Sequence, residues 1–344
     1  MQLAVGTDKG LFALARSAAG WVVSEPHFLG WRVTALHQLQ SGGLLAGTAS
    51  GWFGPAIHRS AKGTDWEQVA PGPQYVADGR ATLEQFWRFH ETLDALYVGV
   101  AHAGLFRSDD HGTTWAHVEG LRAHPSSPNW QPGAGGLCAH SMLHHPVDPN
   151  RLWLGVSAVG VFRSDDGGES WQLRNEGVRV TGPDADHDIG YCVHALVLDP
   201  DDPDVLFRQD HQGLYRSDDG ADTWVLANDG VPSRFGFPLV MDTSTRHLFA
   251  VPQESDEHRI PVDGRLRVYR SADGARSWHE ASVGLPDVPS YAGVLRGAMA
   301  TDNDGLVAFG TTSGELYVTE DSGDSWGRID VTLPRVFCVA AFDL

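Results

Sequence analysis

One phrase, repeated, constrains this chain more than any other feature of it. VFRSDDGGESW (161–171) returns as LFRSDDHGTTW (105–115), LYRSDDGADTW (214–224), VYRSADGARSW (268–278) and LYVTEDSGDSW (316–326). A sixth copy, IHRSAKGTDW (57–66), is one residue shorter and has Lys62 in place of Asp. In the five full copies a hydroxyl residue is followed two positions later by Asp, four later by Gly or Ala, six later by Ser or Thr, and seven later by Trp. The spacing predicts a strand, a tight turn and a returning strand. In such a turn the hydroxyl and the carboxylate accept bonds from backbone N–H groups that the bend leaves unpaired, and the indole pins the returning strand by burying a large ring. Asp110, Asp166, Asp219, Asp273 and Asp321 are therefore expected to be structural.

A phrase that recurs almost end to end signals a repeat architecture. Apolar strands upstream of each phrase complete a four-stranded meander. First, innermost strands fall at 33–39, 85–90, 137–144, 191–198, 235–241, 293–300 and 336–342, which counts seven blades. Residues 2–25 supply only three strands, at about 2–5, 10–15 and 20–24, and the run 336–344 supplies a lone fourth. Joining the two closes a ring and leaves no long unpaired edge. The expected fold is all-β: a seven-bladed β-propeller of four-stranded antiparallel blades, one domain over residues 1–344, closed by its C-terminal strand.

The copies resemble the Asp-box, or BNR, repeat of sialidases and related β-propellers. The resemblance implies a fold in which the boxes are peripheral staples, far from any active site. Over nearly its whole length the chain is also similar to intracellular bacterial Asp-box proteins labelled as exo-sialidases or BNR-repeat glycosyl hydrolases, through PHFLGW, WFGP, QPGAGGLC, AVGVFRSDDGG, FGFP and FGTTSG. Sialidases hold the substrate carboxylate with three arginines, the first in an Arg-Ile-Pro motif near the N-terminus. Here HRIP stands late, at 258–261, and seven blades exceed the sialidase ring by one. The sialidase catalytic roles are not carried across.

A net charge of −19 argues against nucleic acid or an anionic membrane as partner. No apolar run approaches the roughly 20 residues of a membrane helix. The start MQLAVGTDKGLFALAR lacks the pattern of a signal peptide. Three cysteines, an odd number in a large chain, favour free thiols and a reducing, cytoplasmic setting.

Long segments at 71–84, 120–136, 175–190, 251–264 and 282–292 all belong to the rim opposite the repeated turns, here called the upper rim. They are expected to wall a pocket. Histidine is abundant, with 17 in the chain. Aligning CAHSMLHHP with CVHALVLDP sets His140 over His194 and Cys138 over Cys192. With His90, and with His37 or His211, these imidazoles could ring the channel and hold one divalent metal ion such as Zn, Fe, Cu or Mn. The plainer alternative is a set of channel-lining hydrogen-bonders. Arg32, Arg234 and Arg335 stand at inner-strand entrances, and Arg88 and Arg296 lie inside theirs. With Tyr191 they suit a small polar or anionic ligand.

The first expectation is thus a small-ligand enzyme with a His-lined upper pocket, in which Asp188, His211 and Glu254 are the catalytic candidates. The second is a glycoside hydrolase using upper-loop carboxylates (Asp184, Asp186, Asp188, Glu254, Asp256, Glu257), with Trp52, Trp87 and Trp130 as stacking platforms. The third is a non-catalytic interaction propeller. The sequence has no nucleophile elbow, phosphate loop or dinucleotide fingerprint.

Overall fold

The computed structural model describes residues 2–75, 82–179 and 188–342. Its strands form seven four-stranded sheets, each with its neighbours antiparallel. The inner strands are Val336–Phe342, Arg32–Gln38, Gln85–Glu91, Ala139–His144, Val193–Leu198, Gly236–Asp242 and Met299–Thr301. Each touches the inner strand of the next blade, and Met299–Thr301 touches Val336–Phe342, so the ring is closed. The closing sheet pairs Val336–Phe342 with Gln2–Thr7, which continues into Gly10–Ser17 and Gly20–Val23. Six of the seven expected inner strands match closely. The seventh, expected over 293–300, begins only at Met299 because a turn precedes it, in which Ala298 N–H donates to Leu295 O at 3.0 Å. No described helix is long and apolar enough to cross a membrane.

The core lies between blades, because each radial sheet presents both faces to neighbours and its strands read as near-continuous apolar runs. Leu152, Leu154, Phe162 and Trp171 of one blade, for example, pack against Tyr97 and Leu105 of the preceding one.

The repeated turns behave as the spacing predicts. Ser164 Oγ accepts the Gly168 N–H at 2.8 Å, while Asp166 accepts the Ser170 N–H at 2.9 Å and its hydroxyl at 2.5 Å. The same pattern recurs at Asp110, Asp219, Asp273 and Asp321. The turn places two successive residues at positive φ, such as Gly167 at 72° and Gly168 at 95°, which favours glycine; Ala221 and Ala275 take the same conformation at 73° and 62° and are buried.

The indoles do more than pin their own strand. Trp224, Trp278 and Trp326 donate across to carbonyls of the preceding blade, at Arg174, Ala227 and Ala281. The arginine of the phrase reaches the other way: Arg163, Arg216 and Arg270 each donate to a turn carbonyl of the following blade, at Gly220, Gly274 and Ser322. Arg16, in the first blade, pairs with Glu320 of the last at 2.9 Å. The lower rim is therefore a belt of blade-to-blade contacts.

Candidate functional site

Six inner strands break register at one level. Each carries one extra residue against its partner: Thr34, Trp87, His140, His194, Phe337 and the pair Phe237 and Pro238. A bulge of this kind leaves a residue unpaired and re-aims its side chain. Three of these side chains bond sideways to the next inner strand. Thr34 Oγ1 donates to Phe86 O at 2.7 Å, His140 Nε2 to Val193 O at 2.8 Å, and His194 Nδ1 to Gly236 O at 2.5 Å.

The matched register of His140 and His194 thus produces a head-to-tail relay around the axis rather than a convergence of imidazoles. His140 also engages Ser141 Oγ through Nδ1 at 3.2 Å, and His90 Nε2 bonds His144 Nδ1 at 2.8 Å. The geometry does not bring His90, His140 and His194 together as a ligand set. Among the described residues no group of three His, Cys, Asp or Glu side chains is arranged to hold a metal ion.

Burial sets the charge states. It pushes His140 down to about 3, with Arg296 adding to the effect, and holds His90 and His194 well below the usual histidine value. Burial raises the thiols of Cys138 and Cys338 to about 12 and that of Cys192 in the same direction. The three thiols are free, with Cys138 and Cys338 buried and Cys192 half-buried. Cys138 and Cys192 both lie beside Ser157 and Arg296, so the Cys-x-His register does place them at one level.

The positive charges are the unusual part. Arg88 projects from its strand into the axial channel, exposed to solvent yet walled by protein closely enough that desolvation lowers its guanidinium pKa. Arg296 comes from the turn before Met299–Thr301 and reaches across the channel. Its Cζ lies 5.8 Å from the Trp87 ring centre and 5.0 Å from that of Phe237. A Cβ on Gly135 would stand 3.0 Å from Arg296 Nη1, so that loop passes close to the guanidinium. His140 feels both arginines. Neither guanidinium makes an ion pair with any described carboxylate.

The other predicted residues spread over the upper rim. Arg32 pairs with Asp8 at 2.9 Å and lies over Phe337, which Arg335 also approaches. Arg234 is exposed, and its carbonyl accepts from Gln209. Tyr191 faces Arg208, a buried arginine paired with Asp210 at 3.1 Å. Asp188 is exposed, and its carbonyl accepts from Asn175 Nδ2; Asp184 and Asp186 lie outside the described residues. His211 packs on His194 with ring centres 4.8 Å apart and stands 3.7 Å from Asp256. Glu254 sits on the same hairpin as Asp256, 3.7 Å from His258. So Arg88, Arg296, His140, His194 and His211 share the channel mouth, while Asp188, Arg234 and Tyr191 stand apart from it.

Two groups were not foreseen. Arg259 of the HRIP run lies over Phe237 at 5.6 Å and beside Arg296; the tripeptide itself was the available signal. Asp210 is pushed up to about 6 by burial against the pull of Arg208, but its Oδ1 is engaged by the Gln212 and Gly213 N–H groups. It is only 2% exposed, so it props the turn that carries His211.

No family model matches the chain. Among curated proteins it is 27% identical over 206 residues to the oligoxyloglucan-reducing end-specific xyloglucanase of Emericella nidulans, covering 57% of this chain and 24% of that protein. It is 24% identical over 308 residues to xyloglucanase Xgh74A of Acetivibrio thermocellus, covering 81% and 34%. The chain thus spans about a quarter to a third of these relatives. A solved GH74 enzyme from Niastella koreensis superposes with a TM-score of 0.59 at 16% identity, covering 86% of this chain and 45% of that one. At that identity the likeness is one of fold.

Proposed function

We propose that this propeller is a carbohydrate-processing protein of the glycoside hydrolase type that engages a saccharide at its upper channel mouth. The observation that carries the reading is that the matching curated relatives are named xyloglucanases, with alignments reaching 81% of this chain. The site is compatible in kind. Rim carboxylates lie on the hairpin that holds Glu254 and Asp256, beside the half-buried His211. Exposed aromatics, Trp52 at 92% and Phe53 at 78%, stand on the same rim with Trp31 stacked on Phe53. Hydrolysis needs one carboxyl group to protonate the leaving oxygen and a second to activate water or attack the sugar. We assign these roles to Glu254 and Asp256, the carboxylates that the hairpin carries beside His211 at the channel mouth.

The test is sugar release from xyloglucan oligosaccharides and from neutral aryl glycosides by the full chain. Glu254→Gln is expected to lower the rate by about 100-fold or more at unchanged melting temperature. A folded chain that releases no sugar from either substrate class, or a Glu254→Gln variant with full activity, would overturn the assignment.

A further inference from the structure

Three buried polar atoms at the bulge level have no protein partner among the described residues: Arg296 Nε, Trp87 Nε1 and His194 Nε2. They form one cluster, because Arg296 lies over the Trp87 ring and over Phe237, whose ring centre is 4.7 Å from that of His194. A buried polar group left unpaired is costly, so each such group in a native structure calls for a reason.

The chemistry of the three is specific. Arg296 and Trp87 offer N–H donors. His194 offers the opposite. Its Nδ1 faces the Gly236 carbonyl at 2.5 Å, and a carbonyl only accepts, so the hydrogen sits on Nδ1. With the ring held neutral by burial, Nε2 presents a lone pair. Trp87 and Phe237 lie against the Arg296 guanidinium, and its edge N–H groups, suited to a planar carboxylate, make no ion pair with a described acid. Arg88, equally without a carboxylate, adds a second positive charge across His140.

We propose that the channel at this level is a binding site for a small hydroxylated carboxylic acid, with the carboxylate on Arg296 and the Trp87 N–H, Arg88 adding a more distant positive charge, and a ligand hydroxyl donating to His194 Nε2. That the acid is a sugar acid rests on the saccharide reading above; the carboxylate and hydroxyl requirements come from the side chains alone.

The experiment is calorimetric titration of the full chain near neutral pH with D-glucuronate, D-glucose, acetate and inorganic sulfate. D-glucuronate is expected to bind one per chain, about tenfold or more tighter than acetate or sulfate, and glucose is expected not to bind. Arg296→Gln should weaken glucuronate by about 30-fold or more, and His194→Phe should bring glucuronate close to acetate. If Arg296→Gln does not fold, Arg296→Lys, which keeps the charge and loses the planar fork, should weaken glucuronate by about tenfold. Glucose or sulfate matching glucuronate, no glucuronate binding, or arginine variants with unchanged affinity would overturn the proposal. Glucuronate binding without turnover of any glycoside would keep this site and discard the hydrolase reading. Hydrolysis of neutral oligosaccharides with no glucuronate binding would do the reverse.

Discussion

The buried histidines make the stability of this protein depend on pH in a window set by their protonation. His90, His140 and His194 are neutral when folded, His140 down to about 3 because of burial and the nearby Arg296, the other two well below their usual value. In the unfolded chain each titrates near its ordinary value of about 6.5. Between those values the unfolded state binds protons that the folded state refuses, so stability is complete above about 6.5 and is lost as pH falls toward 3. Each histidine removes at most about 1.4 kcal/mol per pH unit in that window. The turn carboxylates act lower. Asp110, held at about 2 by the Thr114 N–H and hydroxyl, keeps its contribution until the pH drops below the ordinary carboxylate range. The urea midpoint is therefore expected to be flat from about pH 8 to 7 and to fall steeply between about 6.5 and 5, with a shallower slope in His140→Asn. A midpoint unchanged down to pH 5 would show that these imidazoles titrate freely.

At the scale of the element, the repeated turn and the inner-strand bulge are opposites in how far the sequence reveals them. The turn is written in residues at fixed offsets, and each offset has a local partner: Ser164 with Gly168, Asp166 with Ser170. Replacing Asp166 with Ala should cost about 1–2 kcal/mol, read from denaturant unfolding, and leave glucuronate affinity untouched because the turn lies on the lower rim. A loss of affinity at full stability would assign the turn to the site. The strands, their count and the ring closure were legible because the phrase fixes each blade's register. The bulge carries no such signature. His140 and His194 do align in sequence, but the extra residue in each strand turns their rings toward the next blade's carbonyl instead of toward each other. Arg296 was placed on a strand and comes instead from a turn, which is what lets it cross the channel. Unpaired atoms such as Trp87 Nε1 become visible only when all neighbours are in place.

For the molecule as a whole, the joint between its two ends is the weak point of the ring and also its lock. Gln2 pairs with Phe342, Val5 with Val339 and Thr7 with Val336, so the first blade exists only when both ends of the described chain are present. Val336, Val339 and Phe342 are all less than 8% exposed. Burying side chains of this size stabilises by roughly 1.5–3 kcal/mol each, so the strand supplies roughly 5–9 kcal/mol against a typical net stability of about 5–15. Deleting residues 336–344 should therefore leave a chain with little or no folding margin and an open inner edge, seen as aggregation or loss of the cooperative melt. The lost element, not the shortened length, is the predicted cause, and a circular permutant separates the two. Because Gln2 and Phe342 face each other across one rung of an antiparallel pair, a linker of a few residues from Phe342 to Gln2 would turn the joint into a hairpin. New ends can be opened at the turn beside Leu93, which is 83% exposed. The permutant should melt at or above the temperature of the native order, since closure then costs less chain entropy. A soluble 336–344 deletion with an unchanged melt would mean that the ring does not depend on this strand, and a permutant that fails to fold while the native order does would mean that the joint is held by something other than the pairing of these two strands.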